Sequence, residues 1–221
     1  MTFTLVCLSV IMATVVWWLV RQTLNVSPWV EQSASAGIQN GDGFSLPSVQ
    51  IGLCVFLAVA TSLFALSISA YLMRRQGADW QHLAPPLVLW FNTATLILAS
   101  VCFQRASNAA KLQQIGGVRR PLLAGGVFTL VFLAGQLWAW QQLHAAGYFL
   151  ASNPANAFFY LLTALHGAHL LGGLWVWAKT SARVQVGAAS DDVRLSVELC
   201  TLYWHFLLVI WLVLFGLLSF T

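Results

Sequence analysis

The chain has 221 residues, of which ten are Lys or Arg and six are Asp or Glu, so that 7% are charged while 59% are hydrophobic. An ordinary soluble domain carries roughly a quarter charged residues, which excludes a soluble globular protein here. The formal net charge of +4 would suggest an acidic partner for a soluble chain, but in a membrane protein it is read through its distribution over the loops.

The charges leave uncharged stretches at 1–20, 43–73, 80–104, 121–178 and 199–221, and about 20 apolar residues suffice to cross a bilayer. The first stretch predicts a span at 3–20. A secretory signal is the alternative, but Met1 to Val20 has no basic n-region and no small-residue cleavage pattern before Arg21. Residues 21–50 are rich in Ser, Gly, Asn and Gln and predict an exposed connection, or one ordered only by a partner. Spans follow at 51–72 and 84–104, the latter opened by Pro85-Pro86, where missing amide hydrogens cost nothing. The stretch 121–178 is too long for one span, since a helix of that length would reach about 87 Å against a hydrocarbon core of about 30 Å. Its cluster of turn formers runs from Gly147 to Asn156 around Ser152-Asn153-Pro154, so the chain is expected to fold back there, giving spans at 121–143 and 155–178. The last span is expected at 195–219.

These stretches are apolar on every face rather than alternating, which argues against a β-barrel. The expected fold is an all-α, polytopic transmembrane bundle of six spans. Residues 1–50 would form an N-terminal transmembrane helix with its exposed loop, and residues 51–221 a five-helix transmembrane domain. Taken over alternate connections, Lys and Arg divide two against eight. The richer side carries Arg105, Lys111, Arg119, Arg120, Lys179, Arg183 and Arg194, so it is expected to be cytoplasmic, with both termini outside.

The four cysteines, Cys7, Cys54, Cys102 and Cys200, fall in expected spans without a CxxC or CxxxC pair. They read as small buried packing residues rather than as a disulfide or thiolate metal site. No internal repeat, phosphate-binding loop or Ser/His/Asp arrangement is present. No catalytic residue and no nucleic-acid partner is therefore assigned.

Ionisable residues inside spans each need a reason, because they cost free energy there. Four stand out: His166, His169, Glu198 and His205. His166 and His169 share one face of the fifth helix, while Ala164, Ala168 and Gly172 form a small-residue stripe on the opposite face that would let a neighbouring backbone approach. Glu198 and His205 are seven apart and face one way on the sixth helix. With the two helices antiparallel, His169 and His205 can lie at one level, and Glu198 near the cytoplasmic headgroups.

Three readings of this set stand: a ligand cluster for haem iron or copper, interhelical hydrogen bonding combined with contact to lipid headgroups, and a proton-handling role. The second is favoured, because a haem between helices is usually framed by small residues, and around His205 the sequence offers Tyr203, Trp204, Phe206 and Leu207. Asn92, Thr93, Thr95, Ser100 and Gln136 read as interhelical hydrogen-bonding residues. Trp17, Trp18, Trp80, Trp90, Trp138 and Trp140 read as interfacial anchors, and Trp204 with Trp211 as a packing stripe.

The run Phe158-Phe159-Tyr160-Leu161-Leu162-Thr163-Ala164-Leu165-His166-Gly167-Ala168-His169-Leu170-Leu171-Gly172-Gly173 resembles a signature of subunit III of the haem-copper cytochrome c oxidases. Glu198, Leu202-Tyr203-Trp204-His205-Phe206 and Val209-Ile210-Trp211-Leu212 resemble that family's last helix. Phe56 to Tyr71 and Leu89 to Ser100 are similar to two further helices, so that the resemblance covers about 51–220. Three departures are visible. Ala60, preceded by Val59, stands where the family commonly has a buried glutamate next to a serine. Leu208 stands where an aspartate is usual, and Ala164 replaces a glycine.

The resemblance implies an accessory core subunit of a terminal oxidase in the plasma membrane of a prokaryote. Such a subunit has no cofactor of its own, while haem and copper are carried by partner subunits. It implies subunits I and II and membrane phospholipid as partners, with His166, His169, Glu198 and His205 as the interhelical or lipid-contacting cluster. A subunit III of a quinol oxidase or of a nitric-oxide-reductase-like complex is the nearest alternative, and a His-ligated membrane cytochrome a more distant one.

Overall fold

The computed structural model describes residues 17, 48–81, 83, 86–113, 115–186 and 190–220. Within these the regular structure is all helical: α1 Ser48–Arg74, α2 Val88–Lys111, α3 Ile115–Ala145, α4 Pro154–Val186 and α5 Ser190–Phe220. The chain divides into two compact units, residues 1–60 and 61–221, with the boundary inside α1. The described part of the first unit is Trp17 and the opening half of α1, with Val49, Ile51, Val55, Phe56 and Val59 exposed. The second unit contains the bundle. In it α2 packs on α3 and α5, and α4 also packs on α3 and α5, so that the four helices close a ring of contacts.

The expected count of six spans is not supported. Among the described residues four helices are long and apolar enough to cross a membrane, over Val49–Arg74, Gly116–Ala145, Pro154–Val186 and Val193–Ser219. The expected span at 3–20 lies outside the described residues. Helix α2 is long enough but less apolar over its described residues than the other four helices, and its buried face carries Asn92, Thr93, Thr95, Ser100 and Ser107. The sides assigned to the termini are likewise unsupported, since residues 1–16 and 221 are not among those described. The four apolar helices make this a membrane-embedded protein.

Helix ends overrun the positions set by the charge gaps. Helices α3, α4 and α5 contain 31, 33 and 31 residues, about 46–50 Å at 1.5 Å per residue against a hydrocarbon core of about 30 Å. Arg119, Arg120, Lys179, Arg183 and Arg194 therefore sit on helical ends rather than in loops. Pro121 lies inside α3, where its missing N–H leaves the carbonyl of Gly117 without its helical donor.

The reversal between α3 and α4 is built from specific cap residues. Gly147, at φ +86°, ends α3 in a Schellman motif: its N–H donates to His144 O at 3.1 Å and the Tyr148 N–H to Leu143 O at 3.0 Å. Asn153 then caps α4, with Oδ1 accepting the Ala155 N–H at 3.1 Å and Pro154 in the first helical position. Asn153 also reaches the connection after α1: its Nδ2 donates to Gln81 O at 2.7 Å and its Oδ1 accepts the Gln81 N–H at 3.4 Å.

Candidate functional site

The bundle core is lined by side chains that hold helix to helix through polar bonds. Three tryptophans each donate an indole N–H to a threonine on another helix: Trp211 to Thr93 at 3.0 Å, Trp204 to Thr129 at 2.9 Å and Trp140 to Thr163 at 3.1 Å. Each threonine hydroxyl donates in turn to a carbonyl one turn earlier on its own helix, Leu89, Gly125 and Phe159 respectively. The hydroxyl has lone pairs to spare after that bond, and so accepts an indole that lipid could not satisfy. A fourth tryptophan, Trp177 on α4, donates directly to Leu122 O on α3 at 2.8 Å. Thr201 Oγ1 on α5 lies 3.0 Å from Phe103 O on α2.

Glycines set how closely these rings approach. A Cβ on Gly125 would meet Phe103 at 2.8 Å, and one on Gly126 would fall into the Trp177 ring. A Cβ on Gly135 would collide with the Asn92 carboxamide, and one on Gly173 would lie 2.6 Å from Tyr203 Cε1. Asn92, seated on Gly135, donates from Nδ2 to Gln136 Oε1 at 3.2 Å, joining α2 to α3.

The four ionisable residues singled out from the sequence fall into different environments. His166 is fully buried. Its ring stacks on Trp211 at 5.2 Å and 33°, with Phe132 at 5.8 Å and Phe64 at 6.4 Å edge-on. His169 is half-buried and donates from Nδ1 to Leu165 O at 2.8 Å, while its own carbonyl accepts the Tyr203 hydroxyl at 2.8 Å. His205 likewise donates from Nδ1 to Thr201 O at 2.7 Å. Glu198 pairs with Arg194 one turn earlier at 3.0 Å. Glu198 and His205 are thus engaged within their own helix, and α4 meets α5 through Tyr203 and through the His166–Trp211 stack instead. Among the described residues no group of three or more His, Cys, Asp or Glu side chains is placed to hold a metal ion.

The small-residue stripe lies elsewhere. Ala164, Ala168 and Gly172 are exposed, with nothing within 4 Å of a Cβ on Gly172; the close approach is made at Gly173. Sequence reasoning also missed the glycine cradles and the tryptophan–threonine pairs. A signal for the cradles was present in Gly125-Gly126, a double glycine inside a span with no turn to explain it.

The family model for cytochrome c oxidase subunit III matches residues 1–220. The chain belongs to that family. Curated relatives carry the same name. Cytochrome c oxidase subunit 3 of Thermostichus vulcanus is 29% identical over 177 residues, covering 76% of this chain and 85% of its own. The Synechocystis protein is 30% identical over 170 residues, 74% and 72% of the two chains. A probable cytochrome c oxidase subunit 3 of Mycobacterium bovis is 28% identical over 78% of this chain and 87% of its own. In this subunit III chain the signature residues of α4 and α5 are therefore part of the packed core and its rim.

At the ends of the bundle the subunit III chain carries charge. Arg105, Lys111, Arg119, Arg120, Lys179, Arg183 and Arg194 occupy the C-terminal halves of α2 and α4 and the N-terminal parts of α3 and α5, which is one end of an antiparallel bundle. At the other end Arg74 pairs with Asp79 through Nη1 at 2.7 Å and through Nη2. The hydrogen bond from Arg74 holds the Asp79 carboxyl below the usual carboxylate range.

Proposed function

We propose that the chain is an accessory core subunit of a haem-copper terminal oxidase in the plasma membrane of a prokaryote. It packs against the catalytic subunit I and subunit II, which carry the haem and copper, and holds no cofactor of its own. Six spans with both termini outside remain the topology that the charge distribution favours. In that topology α2 crosses the bilayer with its polar face turned inward, and the eight-residue basic side is cytoplasmic. Residues 1–50 then form the N-terminal helix and its exposed loop, and 51–221 the five-helix unit. The observation that carries this reading is the family match over residues 1–220 together with a core in which the tryptophan–threonine pairs and the Asn92–Gln136 amides hold helix to helix. His169 and His205 direct Nδ1 into their own helices, and His166 is enclosed by aromatic rings.

Phospholipid is proposed at the rim of the α4–α5 seam, where Glu198 and His205 are half-buried. His205→Leu should lower lipid retention or assembly while electron transfer by the assembled complex persists. Complete loss of turnover in a fully assembled complex would contradict this. The assignment as a whole is tested by pulldown of the tagged chain from detergent-solubilised membranes. Co-elution of a haem-bearing catalytic subunit is expected, and recovery of the chain without one would refute the assignment.

A further inference from the structure

Three buried polar side chains in the core of the bundle have hydrogen-bonding atoms that find no partner among the described residues. His166 is fully buried and uses neither Nδ1 nor Nε2. Asn92 Oδ1 and Gln136 Nε2 are left over from the single bond between those two amides. The three residues belong to α4, α2 and α3, and a continuous set of contacts joins them. Gln136 lies one turn along α3 from Phe132, whose ring meets His166 at 5.8 Å and Trp211 at 4.8 Å. Trp211 stacks on His166 and donates to Thr93, the residue next to Asn92.

An imidazole presents one donor and one acceptor in either neutral tautomer. The carboxamide pair leaves one acceptor, on Asn92, and one donor, on Gln136. A set with both kinds of vacancy suits a molecule that donates and accepts, and lipid can supply none. Buried water typically makes about three hydrogen bonds to groups of this kind. The surroundings, Phe64, Phe132 and Trp211, bring no charge that would favour an ion.

We propose that this layer of the core is a hydration site, in which internal water bonded to His166 and to the Asn92–Gln136 pair completes a polar thread across α2, α3 and α4. The aromatic rings close it off, so the water is structural and exchanges only when the helices part.

The test is a map of the chain, in the membrane complex with which it purifies, at a resolution that shows ordered water. A non-protein peak about 3 Å from a His166 ring nitrogen and from the Asn92 or Gln136 amide is expected. A core closed without a peak, in a map that shows internal water elsewhere, would overturn the proposal, and so would a protein side chain at that position. The second arm uses His166→Phe, Gln136→Leu and the double variant. Each single change should lower the temperature at which the chain dissociates from its complex by a few degrees. The double should lower it by no more than the larger single, because both remove partners of the same water. A raised temperature for His166→Phe, or additive losses, would count against the site. Should a variant fail to assemble, the wild-type map decides.

Discussion

The α2–α3 seam and the α4–α5 seam both hold antiparallel helices together in lipid, yet they do so by different means. Between α2 and α3 neutral amides bond directly, Asn92 to Gln136, and glycines at 125 and 135 bring the backbone against Phe103 and Asn92. Between α4 and α5, where the family signatures lie, His169, His205 and Glu198 spend polar atoms on their own helices. There the helices are joined by the Tyr203 phenol, by the His166–Trp211 stack, and at the exposed end by Arg183 to Ser196 at 3.3 Å. The difference follows from cost. An ionisable group within a membrane is satisfied most cheaply by a carbonyl or counter-charge one turn away, whereas a carboxamide can be used across a seam.

Trp211 touches both seams, so truncating it should have the largest effect. Trp211→Ala removes the bond to Thr93 and the ring over His166, and is expected to cost about 3–5 kcal/mol, read as a loss of resistance to denaturation in mixed micelles. Next come the glycines. Gly135→Val must displace the Asn92 carboxamide and should cost about 1–3 kcal/mol, while Gly172→Val on the exposed face should change the stability of the isolated chain by less than about 0.5 kcal/mol. Equal effects at the two positions, in the same denaturation assay, would erase the distinction between a cradle and an open face. Tyr203→Phe deletes one interhelical bond and should cost about 0.6 kcal/mol, at most about 1.7; a larger loss would mean that the phenol does more than join α4 to α5.

The smallest effect is expected at Asp79, which lies outside both seams and is exposed. Arg74 lowers its carboxyl pKa in the folded chain. The stabilisation is therefore present above the ordinary carboxylate range and is lost as pH falls through the folded value. Asp79→Asn should abolish that acid dependence by removing the stabilisation at neutral pH, so that the variant melts slightly below the unsubstituted chain there and together with it at low pH, which a pH series of melting curves would show.

Much of the fold was legible because charge is so costly in lipid that its gaps outline the helices. The break in the 121–178 stretch was readable from Ser152-Asn153-Pro154, since those residues act locally as caps. The helix ends were not, because Arg119, Lys179 and Arg194 continue a helix into the headgroup region as readily as they leave it. At the candidate site, Asn92 and Gln136 could be read as bonding residues from their chemistry alone. That Trp140, Trp204 and Trp211 each meet a threonine could not, since the partner of an indole is fixed by which helices become neighbours. For the same reason the close contact that α4 makes with Tyr203 at Gly173 could not be read from the sequence.

The central claim is that the histidines of α4 and α5 serve packing and not haem ligation. It is tested most directly by stripping the tagged chain from the complex with which it co-purifies and recording the visible spectra of the two fractions. All haem absorbance should remain with the catalytic subunit and none with this chain; a Soret band that follows the chain, and vanishes in a His166 or His205 variant, would contradict the account.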